Sequence, residues 1–388
     1  MKLDDIKKVA VIGSGAMGNG IAQISAMAGL KVVMVDIKQE FVDRGMATIT
    51  KSLDFLVSKG KLSADDKDRI LKQNLTTSLN NSEAVKDAQV VIEAVPEIMD
   101  LKKKVFAEIS AAAPADTLLA SNTSTMSISE IASAGKNQER ILGMHFFNPV
   151  PVMKGVEVIY GQKSSDASVN LLCEFCQKIK KIPIKVLKDA PGFIVNRIGA
   201  PNQALISAVL DEGKIKPEAI DTVMKATGMP MGPFELADYV GIDVFYHTLK
   251  YYSETLSPEY KPGKTLQGLM DSGKLGMKSG QGIYTWEGGK AKIDGSQQTQ
   301  EIGPMDFLAI QINEAVRVFK EKIAGSVEDI DNGMVHCMRA FAGPFALGAG
   351  MDPKQLADAL NRLHQRFGLN IYKPEPEIVD GSYKNLGK

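Results

Sequence analysis

Residues 8–20 read KVAVIGSGAMGNG, a β-branched apolar run that passes directly into a glycine-rich loop. Gly13, Gly15 and Gly18 follow the spacing G-x-G-x-x-G, and the small residues after them predict a helix. A second predicted strand, 31–36, ends in an aspartate. Strand, glycine loop, helix and acidic strand end together predict a β–α–β unit that binds a dinucleotide.

Each residue type of this loop has a separate task in dinucleotide binding. Gly13 permits the tight turn, Gly15 lets the backbone approach the pyrophosphate, and Gly18 allows close packing of helix against strand. The helix N-terminus supplies N–H donors, and we expect Met17 to contact the cofactor as well. Asp36 would accept hydrogen bonds from the ribose hydroxyls and repel a 2′-phosphate, so the sequence favours NAD over NADP.

Short apolar strands continue to alternate with helical stretches up to about residue 190, which predicts a mostly parallel sheet covered on both faces. Strands are predicted at 8–12, 31–36, 88–95, 117–121, 140–147, 156–160 and 182–187, and helices at 16–29, 39–59, 64–73, 100–112 and 127–134.

After the break at Pro191-Gly192 the pattern becomes helical and repeats itself. At an offset of 110–111 residues, three features recur: Asn202 matches Asn313, Asp221 matches Asp331, and Gly232-Pro233-Phe234 matches Gly343-Pro344-Phe345. The fold class predicted is α/β, a Rossmann-type doubly wound, mostly parallel sheet followed by two tandem all-α helical domains. The predicted domains are an NAD-binding domain at 1–188, a helical domain that contributes to the substrate site at 189–288, and a degenerate second helical domain at 300–372.

The composition argues against several classes of protein. A chain of 388 residues suffices for two to three domains, and 44% hydrophobic and 24% charged residues are ordinary for a globular protein. Basic and acidic residues both number 46, so the basic excess typical of nucleic-acid-binding proteins is lacking. No signal peptide and no run of 18 apolar residues is visible, so we expect no membrane association and a cytoplasmic location.

The three cysteines, Cys173, Cys176 and Cys337, imply no disulfide framework and fit a reducing compartment. The first two form a C-x-x-C inside a predicted helix. A redox motif needs a helix N-terminus that lowers the thiol pKa, and a zinc site needs a second Cys/His pair nearby. Buried thiols, with no metal, are therefore the favoured interpretation.

Polar side chains stand at the ends of two predicted strands. His145 lies where the carboxyl ends of strands line the ligand crevice of doubly wound sheets, and Glu157 stands on the following strand, so a turn could bring the two together. Histidine suits removal of a hydroxyl proton near neutral pH, and a carboxylate would orient its ring. From spacing alone, a core histidine and a catalytic base remain equally good interpretations. SNTST at 121–125 follows another strand, and a helix cap would not require all five small polar residues.

The motifs GSGAMG, SNTS, HFFNPVPVMKGVEV, DAPGFIVNR and GPFELAD occur in an order and at spacings that resemble 3-hydroxyacyl-CoA dehydrogenases. KSGQGIY at 278–284 resembles the motif that closes that family's core, so the resemblance covers roughly residues 5–288. The second helical copy resembles the C-terminal arrangement of larger, fused β-oxidation enzymes. The resemblance implies fatty acid metabolism and a reversible, NAD-dependent oxidation of an L-3-hydroxyacyl-CoA, such as 3-hydroxybutyryl-CoA, to the 3-ketoacyl-CoA.

The same resemblance implies roles for single residues. His145 would be the general base, Glu157 its orienting partner, Ser124 a hydrogen-bond donor to the substrate oxygen, and Asn196 a second substrate contact from the helical domain. Five residues match positions that contact the cofactor: Glu97, Lys102, Asn122, Asn148 and Lys278.

Two residues of the helix predicted at 39–59, Ser52 and Lys59, match contacts to coenzyme A in that family. Lys59 could meet a CoA phosphate, and a solvated helix face explains this lysine equally well.

The second helical copy departs from the minimal family pattern. Its polar positions have become apolar: Asn196 corresponds to Phe307, Glu235 to Ala346 and Asp238 to Ala349. We infer that this copy is structural. In minimal members the helical domain forms the homodimer contact, so a second copy could occupy that surface and leave a monomer or a non-standard homo-oligomer. No enoyl-CoA hydratase region is present, so only the redox step is expected.

Two other functions stay open at this point. A dehydrogenase of a free hydroxy acid would share the nucleotide fold and the His–Glu pair, and the Ser52/Lys59 pattern disfavours it. A non-catalytic NAD-binding protein would keep only the scaffold, and the joint presence of the four implied catalytic residues argues against it. Lys38, two residues beyond Asp36, carries a charge that would suit NADP.

Overall fold

The structure is a computed structural model that describes residues 1–387. Eight strands form the main sheet, in the spatial order β3-β2-β1-β4-β5-β6-β7-β8. All neighbouring strands of this sheet run parallel except β6 and β7, which are antiparallel. The strands are β1 (Lys8–Ile12), β2 (Lys31–Val35), β3 (Leu75–Ser78), β4 (Val90–Glu93), β5 (Leu118–Ser121), β6 (Ile141–Phe146), β7 (Gly155–Tyr160) and β8 (Ile182–Val186), and a separate hairpin is formed by β9 (Trp286–Glu287) and β10 (Lys290–Ala291).

Helices accompany the sheet strands and then dominate the rest of the chain. Those between the sheet strands are α1 (Ala16–Met27), α2 (Gln39–Ser58), α3 (Ala64–Arg69), α4 (Asn81–Val85), α5 (Met99–Ala112), α6 (Ile128–Ala132) and α7 (Asp166–Lys178). Those after the sheet are α8 (Val195–Glu212), α9 (Pro217–Lys225), α10 (Pro233–Val240), α11 (Ile242–Thr255), α12 (Lys264–Asp271), α13 (Pro304–Lys320), α14 (Val327–Met338), α15 (Pro344–Gly348), α16 (Pro353–Phe367) and α17 (Pro376–Val379).

The predicted fold class, a mostly parallel Rossmann-type sheet followed by helices, is confirmed. Apolar strands are covered on both faces, as their continuous buried runs in β1, β2 and β4 require. One strand of the main sheet, β3, and the two short strands of the separate hairpin, β9 and β10, are absent from the sequence prediction. The β3 residues LTTS carry a single buried leucine and form the edge of the sheet, so no apolar periodicity marks them. The helix predicted at 64–73 ends at Arg69, and a π-helical turn, Ile70–Asn74, leads into β3.

Contacts divide the chain into two compact units. The first contains Met1–Val195 and Lys322–Gly343, and the second contains Asn196–Glu321 and Pro344–Lys388. A piece of the second helical copy, including α14, therefore belongs to the sheet unit by its contacts. The sequence domains 1–188, 189–288 and 300–372 stay a prediction, because compactness in space is a different criterion from repetition along the chain.

The register proposed for the internal repeat is supported by a shared contact. A Cβ built at Gly232 would lie 2.3 Å from Asp221 Oδ1, and a Cβ built at Gly343 would lie 2.3 Å from Asp331 Cα. In both copies a glycine 11 or 12 residues after the aspartate therefore allows its backbone to approach that aspartate closely.

The cysteines are chemically sheltered. Cys173 and Cys176 lie in the interior of α7, Cys337 lies near the end of α14, and all three are buried. Burial raises the pKa of Cys173 to about 11 and also raises the pKa of the other two thiols. Since the thiolate is the reactive form, none of the three has the environment of a redox cysteine.

We therefore expect all three thiols to react negligibly with dithiobis(nitrobenzoate) in the native protein at about pH 8, and to react fully after unfolding in guanidinium. Release of the coloured thiolate, followed spectroscopically, gives the count. Rapid reaction of one thiol in the native protein would contradict the burial described above.

Candidate functional site

The glycine loop after β1 leaves space where a phosphate would lie. Gly13 has a φ of +105°, and a Cβ there would meet the Ala94 carbonyl oxygen at 2.5 Å. A Cβ at Gly18 would meet the Gly13 carbonyl oxygen at 1.9 Å. By contrast, a Cβ at Gly15, the N-cap of α1, would meet nothing within 4 Å, so the backbone there is open. Gly13 and Gly18 are thus required for close packing, and Gly15 leaves the backbone open to a ligand. This division is the one expected for a loop that binds the pyrophosphate of a dinucleotide.

The acidic residue at the end of β2 lies against this loop. Asp36 Oδ2 accepts hydrogen bonds from the Ser14 amide at 2.8 Å and the Ser14 hydroxyl at 2.7 Å, and Oδ1 accepts from the Ile37 amide. Because β1 and β2 are paired so that both end at the same level, the Asp36 carboxylate lies beside the glycine loop and is hydrogen-bonded to it. Met17 is half-buried and packs against the core under α1. Lys38 is exposed, and its Nζ lies 5.6 Å from the centroid of the Phe41 ring.

A buried ion pair lies at the carboxyl ends of β4 and β5. Lys102 Nζ lies 2.8 Å from Glu93 Oε1 and 3.1 Å from Glu97 Oε2. Ser121 Oγ donates to Glu93 Oε2 at 2.6 Å, and the Val95 amide donates to Glu93 Oε1 at 2.7 Å. The Lys102 and Glu93 side chains are 1% and 0% exposed, so the lysine is enclosed and reaches the strand ends from α5.

Glu97 connects this pair to the small polar loop after β5. It accepts hydrogen bonds from the Thr123 hydroxyl and, at 3.0 Å, from the Ser124 amide. Burial opposes ionisation of Glu97, but Lys102 and these hydrogen bonds outweigh it and lower its pKa. The predicted cofactor residues Glu97 and Lys102 thus also fix the backbone that carries Ser124.

Asn122, in the same loop, is tied to the neighbouring strand. Its Oδ1 accepts a hydrogen bond from the Phe146 amide at 2.9 Å, and its own amide donates to the Glu93 carbonyl oxygen. Phe146 directly follows His145 in β6. The loop after β5 and the carboxyl end of β6 are therefore held together at the end of these two neighbouring strands.

His145 and Glu157 face each other across the antiparallel pair β6–β7. They are register partners, and His145 Nδ1 lies 2.7 Å from Glu157 Oε2. The predicted contact between the two side chains is therefore confirmed. The His145 ring also lies against two aromatic rings, with centroid distances of 4.3 Å to Phe147 and 5.9 Å to Phe193. Both side chains of the pair are buried.

The second oxygen of Glu157 is held by backbone amides that sequence analysis did not single out. Oε1 accepts hydrogen bonds from Ile194 and Val195, both at 2.9 Å. An ionised Glu157 can only accept hydrogen bonds, so the neutral His145 tautomer that pairs with it carries its proton on Nδ1 and has a lone pair on Nε2.

The remaining predicted residues are spread over other parts of the molecule. Asn148, exposed, precedes a cis peptide bond to Pro149 directly after β6. Ser52 is half-buried in α2, and Lys59, which ends that helix, is exposed, with its Nζ over the Phe55 ring at 5.5 Å.

Two predicted residues belong to the second unit. Asn196 is the first residue of that unit and directly follows Val195 in the chain. Lys278 Nζ lies 2.5 Å from Asp243 Oδ1 at the start of α11, and both side chains are partly exposed.

Sequence analysis missed Glu93 and the amides of Ile194 and Val195. A carboxylate inside the apolar run VVIEAV was a usable signal, because a charge in a buried strand requires a partner. The two amides left no signal, since any residue supplies an N–H. Within residues 1–387 no cluster of three or more His, Cys, Asp or Glu side chains is placed to hold a metal ion. None of the helices described is long and apolar enough to span a bilayer.

Comparison with known sequences gives one family for both parts of the chain. The model described as 3-hydroxyacyl-CoA dehydrogenase, NAD binding domain, matches residues 8–190. The model described as 3-hydroxyacyl-CoA dehydrogenase, C-terminal domain, matches residues 192–286.

Individual relatives agree with these matches. A probable 3-hydroxyacyl-CoA dehydrogenase of Caenorhabditis elegans is 40% identical over 298 residues, 74% of this chain and 94% of that protein. The fatty acid oxidation complex subunit alpha of Idiomarina loihiensis is 37% identical over 351 residues, which are 86% of this chain but 48% of that longer protein. Among solved structures, 3-hydroxybutyryl-CoA dehydrogenase of Escherichia coli K12 has a TM-score of 0.88 at 29% identity, covering 97% of this chain and 98% of that one.

Proposed function

This chain belongs to the 3-hydroxyacyl-CoA dehydrogenase family and is an NAD-dependent oxidoreductase, and we propose that it interconverts an L-3-hydroxyacyl-CoA, such as 3-hydroxybutyryl-CoA, and the 3-ketoacyl-CoA with His145 as the general base. The observation that carries the proposal is the buried His145–Glu157 hydrogen bond of 2.7 Å. It lies in the sheet unit that also holds the nucleotide loop.

His145 removes the proton of the 3-hydroxyl group through Nε2 in this proposal. Glu157 fixes the ring by accepting from Nδ1, and its negative charge stabilises the imidazolium that forms. Its other oxygen is fixed by two backbone amides, so the carboxylate does not turn away when the ring becomes charged. In the reverse direction, the imidazolium returns its proton to the developing alkoxide.

Ser124 and Asn196 are proposed to hydrogen-bond the substrate oxygen. The Ser124 backbone is fixed by Glu97, which favours a constant position for its hydroxyl. Stabilisation of a developing charge is strongest when the donors need no rearrangement. Bound NAD would supply the hydride acceptor for carbon C3 of the hydroxyacyl group. Gly13, Gly15 and Gly18 would hold its pyrophosphate and Asp36 its ribose.

Further residues of the cofactor and CoA sites are proposed from the family resemblance. Met17, Glu97, Lys102, Asn122, Asn148 and Lys278 are assigned to the cofactor, and Ser52 and Lys59 to coenzyme A.

The substrate class is tested by NADH oxidation with acetoacetyl-CoA and, in parallel, with free acetoacetate. We expect turnover of the CoA ester and at least ~100-fold lower kcat/KM for the free acid, since remote binding energy from CoA raises catalysis. Turnover confined to the free acid would replace the CoA proposal by a free hydroxy acid dehydrogenase. Binding of NADH without turnover of either would favour a non-catalytic NAD-binding protein.

Replacing Asp36 should change the choice of cofactor. In Asp36→Ser the ribose hydroxyls lose a charged acceptor with two oxygens, and the 2′-phosphate no longer meets a negative charge, while Lys38 remains nearby. We expect the ratio of kcat/KM for NADH to that for NADPH to fall by about 10- to 100-fold, measured with acetoacetyl-CoA. Because Asp36 also accepts from Ser14, part of the loss for NADH will come from a looser loop. An unchanged ratio would remove Asp36 from the ribose site.

The oligomeric state stays a prediction. We expect a monomer, or an assembly that does not use the usual dimer face, because the second helical copy could occupy that face. A crystal structure or a scattering measurement showing a dimer through the first helical domain, α8–α12, would contradict it. A cytoplasmic location is likewise proposed rather than established, and fractionation of cells expressing the protein would test it.

A further inference from the structure

We propose that α14, a helix of the second copy, positions the Glu157 carboxylate, and that Gly333 and Cys337 are the positioning residues through which it acts. This inference rests on the proposed function, in which Glu157 orients His145. It changes the role of the second copy from a structural remnant to a support of the proposed catalytic pair.

The sequence of α14 gives it one apolar face. Its buried residues are Ile330, Gly333, Met334 and Cys337, spaced i, i+3, i+4 and i+7. This face packs on β7 and β8, the last two strands of the sheet. The segment before α14 also contacts this side of the sheet. The Leu187 amide donates to the Ile323 carbonyl oxygen at 2.7 Å, which extends the edge of the sheet beyond β8.

Two segments determine where Glu157 lies, and α14 contacts the first of them through Gly333. This segment is the turn whose Ile194 and Val195 amides hold Oε1. A Cβ at Gly333 would lie 3.1 Å from Val195 Cγ2 and 3.8 Å from Ile194 Cγ2. It would also lie 3.8 Å from Ile184 Cγ2, and Ile184 is the β8 register partner of Glu157.

The second segment is β7 itself, two residues before Glu157. A Cβ at Gly155 would lie 2.3 Å from Cys337 Sγ, so the absence of a side chain lets α14 approach the strand closely. The Lys154 amide donates to the His336 carbonyl oxygen at 3.2 Å, which fixes the end of α14 against the start of β7. The pKa of Cys337 is raised by burial and by the negative charge of Glu157, which agrees with this proximity.

Since protein interiors are close-packed, a side chain added at Gly333 must move one of these neighbours. The neighbours are the residues that hold Glu157, so the displacement reaches the His145 ring. Misplacement of a reacting group by about 1 Å can cost on the order of 100-fold in rate, while substrate and cofactor contacts elsewhere stay intact.

The kinetic test compares Gly333→Ala and Gly333→Val with Gly350→Val. Gly350 also belongs to the second copy, but a Cβ there would meet nothing within 4 Å. We expect kcat with acetoacetyl-CoA and NADH to fall about threefold in Gly333→Ala and tenfold or more in Gly333→Val. KM for acetoacetyl-CoA and the Kd for NADH should stay within about twofold of wild type, and Gly350→Val should match wild type throughout.

A double-mutant cycle separates positioning from general loss of stability. In a Glu157→Gln background, Gly333→Val should lower kcat by less than about twofold, because the group it displaces is already impaired. An equal fold-loss in both backgrounds, or wild-type kcat in both Gly333 variants, would overturn the proposal.

A readout without catalysis keeps the two proposals separate. Amide hydrogen exchange of the segment containing Ile194 and Val195 should become about tenfold faster in Gly333→Val and stay unchanged in Gly350→Val. If wild type does not turn over acetoacetyl-CoA, the proposed function fails, and the exchange result still decides the contact between α14 and this turn. Unchanged exchange in Gly333→Val would remove the proposed support. If the valine variant does not fold, Gly333→Ala is compared with wild type in the same measurements, and the expected changes are smaller.

Discussion

His145→Gln should lower kcat for acetoacetyl-CoA reduction by about 1000-fold, within the range expected for loss of a general acid or base. Glutamine fills much of the same volume, but its side-chain amide does not take up and release a proton near neutral pH, so it can act neither as general base nor as general acid. The Kd for NADH, measured by fluorescence, should stay within about threefold of wild type, since the glycine loop is untouched.

His247→Gln is the matched control for this variant. His247 is exposed on α11, in the second unit, so its replacement should leave kcat unchanged. Unchanged kcat in His145→Gln would show that His145 is a buried core histidine. If kcat/KM fell by a similar factor but the affinity for NADH was lost as well, the substitution would instead have disrupted the structure of the site.

Lys102→Met should lower the free energy of unfolding more than any other substitution proposed for this protein. It removes the cation from a pair whose side chains are 1% and 0% exposed and leaves Glu93 buried beside uncharged groups. Breaking a buried pair by removing one partner costs about 3–5 kcal/mol of unfolding free energy, because the remaining charge stays desolvated. Thermal or urea unfolding monitored by circular dichroism measures the change, and kcat should fall as well, since Glu97 loses the lysine that helps to hold the Ser124 loop.

Lys103→Met provides the adjacent control on α5. Lys103 pairs with Glu130 at 2.6 Å, but these side chains are 32% and 51% exposed, so the loss should be under about 1 kcal/mol. Adding Glu93→Gln to Lys102→Met should recover part of the stability by removing the orphaned charge. Equal losses in Lys102→Met and Lys103→Met would contradict the importance assigned to burial.

Several features of the site were predictable from short stretches of sequence. The nucleotide loop needs only local geometry: a positive φ at Gly13 and close approaches at Gly18, which the order of residues along β1 and α1 already requires. The pairing of His145 with Glu157 was predictable as well, because a turn between two consecutive strands can bring the end of the first beside the start of the second.

Other features depend on residues far apart in the chain. Glu157 is held by amides 37 and 38 residues later, and an amide N–H carries no side-chain signal. Lys102 reads as one of three consecutive lysines on an amphipathic helix, and only the packing of α5 on the sheet decides that it alone is enclosed. The edge strand β3 was missed because its mostly polar residues show no apolar periodicity. They form a strand only because they pair with β2.

The sequence by itself determined the Rossmann-type sheet, the nucleotide loop, the helical repeat and the family, since each rests on local periodicity or on motifs of a few residues. The tertiary structure alone decided that α14 leaves its own repeat and joins the sheet unit, where it lies against the strand and the turn that hold Glu157. The physical reason is that a helix's apolar face specifies that it must be buried but not against which partner. Here Gly155 and Gly333 allow α14 to approach β7 and the turn before α8 closely, so the apolar face of α14 is buried against the sheet unit.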